Sequence, residues 1–465
     1  MRSKKAIAVI GLGAVLPDAN NVNSFWNNLL SARYSITDIP QDRWDVALYY
    51  SPDRSDQNKT YTKIGAFVRD YTFEAHKLGI AIPPRVLDQM DLIQKWSLDA
   101  THQALTDYGW PKKAIDGDRV AVILGNSNAG EFHYRSTFRI LLPEYLKSLA
   151  HQAAFKALPA EVQQSLLDGI RQDIYAQIPA ITEDTMPGEL SNIIAGRIAN
   201  VFNFNGPNYI SDAACASSLA ALQGAIDALQ DDRADLVVTG GVDRSMGIES
   251  YLKFCRIGAL SAVGSMPYAD GADGFVMGEG AVVYLLKRLE DAERDDDKIY
   301  ALVRGIGSSS DGKGKGITAP NPAGQQKAIE RALKDAGISP AEIGLLEGHG
   351  TSTKVGDVVE LNSLQSVFGP YNLKSGSIAL GSVKSNIGHL KSASGAAGLL
   401  KVILGLNHQV LPPTANFRKP NPAIDFSRSA FAPALRADEW RVEHGKNRFA
   451  RSEERRVGKE CRSRW

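Results

Sequence analysis

Apolar runs and helically spaced apolar positions alternate along the chain. Ala6–Ile10 is the first run and reads as a buried strand, following Arg2, Lys4 and Lys5. Val22–Ala32, with Phe25, Trp26 and Leu29, reads as a helix, and a polar loop reaches about Phe67. Leu92–Tyr108 has Ile93, Trp96, Ala100 and Ala104 on one side and Leu98 and Leu105 on a second stripe. That spacing predicts a helix buried on more than one face. Arg119–Leu124 reads as a buried strand, and Leu141 to about Ile181 is helical with no strand. After the short strand that opens at Tyr209, Leu219, Leu222, Ile226 and Leu229 return at helical spacing. Leu236–Gly241 and Gly274–Leu286 read as strands, and Leu289–Asp297 as a charged linker.

Past this linker the order starts again. Ile299–Ile306 reads as a strand, Asn321–Ala336 as a helix, Ile343–Leu346 and Ile378–Val383 as strands, and Ala393–Leu406 as a helix rich in glycine and alanine. Two α/β halves, residues 1–295 and 296–450, are the economical reading of this repeat. Residues 451–465 are different: Arg451-Ser-Glu-Glu-Arg-Arg-Val-Gly-Lys-Glu-Cys-Arg-Ser-Arg-Trp465 has no apolar period. Their codons can be written as a run resembling a sequencing-library adapter, so they read as a tail foreign to the fold.

Composition narrows the classes. Lys+Arg 53 against Asp+Glu 52 leaves no electrostatic case for nucleic acid, although a local basic patch for an acidic protein partner stays open. Cys215, Cys255 and Cys461 form no disulfide framework and suit a reducing, cytoplasmic setting. No apolar run approaches the ~18 residues of a membrane span. The basic N-terminus mimics a secretory signal, but no small-x-small cleavage site follows cleanly. Gly11-Leu-Gly13 lacks the third glycine of a dinucleotide fingerprint, where Leu16 stands. Gly312-Lys-Gly-Lys-Gly316 has the wrong spacing for a P-loop and no closing Lys-Ser/Thr pair.

The candidate chemistry starts at Tyr209-Ile-Ser-Asp-Ala-Ala-Cys-Ala-Ser-Ser-Leu219. A strand breaks at small residues and opens a helix, which places Cys215 at or just before a helix N-terminus. Free N–H groups there favour a thiolate. On this stretch alone a small buried hydrophobe is about as good a reading as a nucleophile. Glu347-Gly-His-Gly-Thr-Ser-Thr353 and Lys384-Ser-Asn-Ile-Gly-His389 each put a histidine among small residues after an apolar run. Together the three stretches resemble the active site of the β-ketoacyl synthases, the condensing enzymes of fatty acid and polyketide assembly. The resemblance runs from about Ala6 to Ala450.

The resemblance implies a thiolase-like α/β fold, two βαβαβ halves stacked as five layers (α-β-α-β-α). The helices after Cys215 and His389 would lie back to back, with Gly395, Ala396, Ala397 and Gly398 allowing close approach. It implies decarboxylative Claisen condensation of an acyl thioester on Cys215 with malonyl-acyl carrier protein, His349 and His389 supplying donors. It also implies that Thr351 and Thr353 bind the phosphopantetheine arm of the carrier, and that Asp357 helps to hold Lys384 at the active site. No cofactor is bound by the domain itself, and no metal. A homodimer, an acyl carrier protein and a neighbouring acyltransferase domain are the implied partners. Glu279 reads as structural, and His76, His102, His133, His151, His408 and His444 as surface or core residues. Thr60-Tyr-Thr-Lys-Ile-Gly65, Pro83-Pro84 and Asp184-Thr-Met-Pro-Gly188 resemble ketosynthase regions of polyunsaturated fatty acid and polyketide synthases.

Three other readings stay open. A degradative thiolase shares the fold, but two histidines in place of one favour the synthase. A non-catalytic partner chain of the chain-length-factor type would have replaced Cys215. An inactive fragment is the third: family members continue past Ala450 into a glycine-rich strand pair with a Gly-Phe-Gly-Gly turn, and this chain has no such motif. The second sheet is therefore expected to be truncated, with an exposed edge.

Overall fold

The computed structural model describes residues 6–79, 82–313, 320–443, 446–456 and 459–464, with side chains at the C-terminal end as far as Glu453. The Gly312–Gly316 run falls largely outside the described residues, as does His444. The chain opens on β1 (Ile7–Val15), which is buried throughout. A Cβ on Gly13 would stand 1.8 Å from the Ala100 carbonyl oxygen. The Gly-Leu-Gly step thus lets the Leu92–Tyr108 helix lie directly on the strand, which accounts for the motif without a nucleotide.

Six strands build the first sheet: β1, β2 (Val120–Gly125), β3 (Asn208–Ser211), β4 (Leu236–Asp243), β5 (Gly280–Arg288) and β6 (Ala301–Val303), in the order β3-β2-β4-β5-β1-β6. The second holds β7 (Gly305–Ser309), β8 (Ile343–Glu347), β9 (Ile378–Gly381), β10 (Phe431–Pro433), β11 (Phe449–Arg456) and β12 (Lys459–Arg464), in the order β10-β9-β8-β11-β12-β7. With the edge strands β6 and β10 set aside, β3-β2-β4-β5-β1 matches β9-β8-β11-β12-β7. In both, three parallel strands are followed by two antiparallel ones. The repeat seen in the sequence is therefore a repeat of topology.

Between the sheets, the Ser217–Gln230 helix packs on the Ser394–His408 helix. Their shared core includes Leu219, Leu222, Ala396, Ala397 and Leu400, all buried. Leu92–Tyr108 and Ser191–Phe202 cover the outer face of the first sheet, and Pro322–Ala336 and Gly356–Phe368 that of the second. Five layers result.

Four expectations change. Ile299–Ile306 is not one strand: the chain leaves the first sheet after Val303 and enters the second at Gly305. The charged linker contains a short helix, Leu289–Arg294, and β5 begins at Gly280 rather than Gly274. The second sheet is not short of strands. Residues 449–456 and 459–464 fill the places that β4 and β5 fill in the first sheet. A ladder is made by backbone groups, so the gap between β8 and β7 takes these residues despite their polarity. As a result Arg451, Ser452 and Glu453 lie in the core, at 0%, 0% and 1% exposure.

Candidate active site

Cys215 sits in a single tight turn, Ala214–Ala216, between β3 and the Ser217–Gln230 helix. Ala214 takes φ +47°, a left-handed conformation that a non-glycine residue adopts only when its surroundings hold it. They do so here: Asp212 Oδ1 accepts from Ala214 N–H at 2.9 Å, and Ser217 Oγ donates to the Ala214 carbonyl at 2.6 Å. Cys215 is partly buried. Cys255 is buried in a separate cluster, with its sulfur 3.2 Å from Thr60 Oγ1, which is a structural setting.

The turn that carries Cys215 packs against the Lys391–Ala393 turn, which follows His389. Gly241, at the end of β4, makes room for this meeting of the halves. A Cβ there would lie 2.8 Å from Ser218 Cβ and 2.9 Å from the Ser392 carbonyl oxygen. The His349 and His389 rings stand perpendicular, with centroids 5.6 Å apart. The structure thus brings together two elements that are 134 and 174 residues from Cys215 in sequence (349 − 215 and 389 − 215).

His389 is buried and held on every side. Its N–H donates to the Val276 carbonyl at 2.7 Å, and its carbonyl accepts from Gly278 N–H at 2.9 Å. Phe275 packs edge-on against the ring at 5.1 Å. Nδ1 accepts from Lys391 N–H at 3.0 Å, and Ser394 Oγ is 2.7 Å from the same nitrogen. A nitrogen that accepts a backbone N–H carries no proton, so the neutral ring has its proton on Nε2. Burial, followed by the charges of Lys384, His349 and Lys391, holds the imidazole well below the usual 6.5. His389 is therefore a neutral Nε2–H donor.

His349 is positioned through its backbone. Glu360 accepts from His349 N–H at 2.7 Å and from Gly350 N–H at 2.9 Å, and Tyr268 Oη donates to it at 2.8 Å. Burial pushes the Glu360 carboxyl up, with Glu453 adding to the shift. Thr351 and Thr353 follow, with hydroxyls 3.1 Å apart, so both face one way. Lys384 is buried at 2% exposure in the Lys384–Ile387 helix, where its charge acts on His389. Asp357 is also buried, but among the described residues no ion pair joins it to Lys384. Instead, Asp357 Oδ2 accepts from Tyr268 N–H at 2.7 Å. Burial raises this carboxyl to about 7. Glu279 accepts from Val68 N–H at 2.9 Å and pairs with Arg43, which makes it a brace for the Ile64–Val68 segment.

A scan against family models matches two of them: "Beta-ketoacyl synthase, N-terminal domain" over residues 4–292 and "Beta-ketoacyl synthase, C-terminal domain" over residues 300–418. The chain belongs to the β-ketoacyl synthase family. Members of this family are acyl-transferring enzymes, and the match of both halves to β-ketoacyl synthase models sets the degradative thiolase reading aside. The ketosynthase is 36% identical to a polyunsaturated fatty acid synthase component of Thraustochytrium over 90% of its own length, and to polyketide synthase PksL of Bacillus subtilis, also 36%, over 97%. It spans only 15% and 9% of those two proteins. Among solved structures it superposes on a ketosynthase from module 6 of the bacillaene synthase of Bacillus subtilis with a TM-score of 0.81 and 33% identity, covering 99% of this chain and 71% of that one. An oxazolomycin ketosynthase domain of Streptomyces albus gives 0.83 at 30% identity, covering 99% and 74%.

Sequence reasoning missed several residues of this ketosynthase site. Lys391, Ser394, Asp243, Tyr268 and Glu360 all contact the histidines or their loops. Lys391 and Ser394 had a signal, since they stand two and five places after His389. Asp243 and Tyr268 come from the other half, and no local pattern could point to them. Among the described residues no group of three or more His, Cys, Asp or Glu is arranged to hold a metal ion, and no helix is long and apolar enough to cross a membrane.

Proposed function

We propose that the chain catalyses decarboxylative Claisen condensation, joining an acyl group on Cys215 to malonyl-acyl carrier protein to give a 3-oxoacyl-acyl carrier protein. The observation that carries this reading is the neutral Nε2–H of His389, set perpendicular to the His349 ring in the half that packs against the cysteine turn.

Each step has a group suited to it. The Cys215 thiolate attacks the acyl thioester, and the carrier's thiol leaves. Its own backbone N–H, ahead of the helix, stabilises the oxyanion. When the malonyl thioester then loses CO2, the electron pair of the broken C–C bond passes onto the thioester oxygen as an enolate. Nε2–H of His389, joined by His349, donates to that oxygen. The enolate carbon attacks the acyl-Cys215 carbonyl, the new C–C bond forms, and the cysteine thiolate departs. Thr351 and Thr353, with hydroxyls on one side of their loop, hold the phosphopantetheine arm that carries the substrate. Lys384 supports the site by its charge beside His389. Asp357 supports it through the Tyr268 loop that braces Glu360. The domain acts as a homodimer in the cytoplasm, beside acyl carrier and acyltransferase domains of a larger synthase. Support for the dimer lies in β3, an edge strand whose Tyr209 is 43% exposed only six residues before Cys215 (215 − 209).

The test is acyl loading from an acyl-carrier thioester, read by mass spectrometry. Cys215→Ala is expected to take up no acyl group and to make no condensation product, while still decarboxylating malonyl thioester. Acylation that persists in the variant would overturn the assignment of the nucleophile.

A further inference from the structure

Lys391 is a buried lysine that the condensation chemistry leaves without a task. Its exposure is 6%, and it takes φ +48°, a conformation suited to glycine. Its ammonium lies 3.1 Å from Asp243 Oδ1, donates to the Gly278 carbonyl at 2.7 Å and lies 3.7 Å from Met246 Sδ. Asp243 is fully buried at the end of β4. It also accepts from Ser245 N–H at 2.9 Å, from Ser392 Oγ at 2.6 Å and from Ser392 N–H at 3.3 Å.

These contacts close a ring around His389. The His389 carbonyl accepts from Gly278 N–H, the Gly278 carbonyl accepts from the Lys391 ammonium, and the Lys391 N–H donates to His389 Nδ1. The N–H that fixes the tautomer thus belongs to a residue in a strained conformation. That conformation is held from the side chain, by an ion pair reaching into the other half. A buried ion pair is seldom the cheapest way to stabilise a core, since apolar residues of similar size often serve as well. Its placement calls for another reason.

We propose that the Lys391–Asp243 pair is a positioning device that holds the Lys391 N–H on His389 Nδ1 and so keeps the His389 proton on Nε2, facing the substrate. This rests on the donor role given to His389 above. Lys391 touches no reacting atom and acts through the imidazole. Lys384 and His349 are the other titratable groups that face the ring, and neither bonds Nδ1 among the described residues.

Two variants of the full chain test it. Lys391→Met keeps the bulk and removes the charge. Lys391→Gly also removes the charge, but it accepts φ +48° without strain and can keep its N–H on Nδ1 without the ion pair. In Lys391→Met, malonyl decarboxylation is expected to fall about 10²-fold, as for loss of one preorganised donor, and Lys391→Gly is expected to recover most of it, while acyl loading of Cys215 stays within about twofold in both. Nitrogen-15 spectra of histidine-labelled protein are expected to show His389 Nδ1 unprotonated in the parent and in Lys391→Gly, and partly protonated in Lys391→Met. Parental decarboxylation or a parental His389 spectrum in Lys391→Met, equal decarboxylation in the two variants, or equal loss of loading and decarboxylation in Lys391→Met would each overturn the proposal. His389→Ala is the control: if it decarboxylates at the parental rate, the donor reading itself fails. If it does not, while the Lys391 variants do, only the positioning role fails.

Discussion

At the residue scale, the protonation of His389 fixes where the enolate donor of the proposed mechanism would stand. Its folded value lies below 6.5, so the ring stays neutral as pH falls through the range in which an ordinary histidine charges. The acid limb of malonyl decarboxylation is therefore expected below pH 6.5, and a limb at or above that value would contradict the geometry. His349→Ala and His389→Ala should each still load Cys215 while losing most decarboxylation, measured as CO2 release. Asp357 works in the opposite direction. Its carboxyl titrates near 7 when folded against 3.8 in the free side chain, so the folded state binds this proton more tightly than the unfolded chain. Stability from this group is full below 3.8 and is lost as pH rises through about 7. The loss is at most about 4 kcal/mol for a carboxyl moved from 3.8 to about 7. Asp357→Asn keeps an acceptor for the Tyr268 N–H and carries no charge. Thermal melts should show it gaining on the parent progressively between about pH 4 and about pH 8.

At the scale of elements, the glycines decide how closely the layers approach. Gly13→Val would drive a side chain into the Ala100 carbonyl, where a Cβ has only 1.8 Å. The strand and helix would have to separate, and the cost should exceed the ~1–3 kcal/mol of ordinary overpacking. A denaturant midpoint equal to that of the parent would show that the contact relaxes. This contact also shows what was legible. The helix over Leu92–Tyr108 is readable from its two apolar stripes, and the structure has it with those ends. The strand over Ala6–Ile10 is readable too, but its run on to Val15 is not, because glycine in a strand looks like a break until a helix is seen lying on it. Cys215, His349 and His389 are legible as candidates because each stands in a long local motif. Lys391 and Asp243 are not, because they are partners across halves, joined by the fold and not by spacing. The split of Ile299–Ile306 between two sheets is likewise a tertiary event in a continuous apolar run.

At the scale of the whole molecule, the two sheets share a topology but not a chemistry. In the first, β4 and β5 are buried along their whole length and β5 reads Gly-Ala-Val-Val-Tyr-Leu-Leu before its terminal Lys287 and Arg288. In the second, the corresponding place next to β8 is taken by Arg451, Ser452 and Glu453. Arg451 and Glu453 pair at 2.7 Å on one face, where the Glu453 charge also raises the Glu360 carboxyl under His349. Ser452 turns to the central layer, with its hydroxyl 3.4 Å from where a Cβ on Gly398 would stand. Charges in a core strand set local preference against the fold. Replacing such a buried pair with apolar residues of similar size is often stabilising, by about 1–4 kcal/mol. The family resemblance implies a Gly-Phe-Gly-Gly turn in this region whose backbone N–H would give the acyl-cysteine oxyanion a second donor, and residues 451–465 carry no such motif. Losing one such donor costs about 10²–10³ in rate. The comparison is between this chain and one in which residues 451–465 are exchanged for an apolar, glycine-rich strand pair with that turn. The exchanged chain should be more soluble and condense about 10²–10³ times faster, whereas decarboxylation, which the proposed mechanism assigns to His349 and His389, should differ far less. Equal solubility and equal condensation rates would show that the polar strands serve as well as apolar ones.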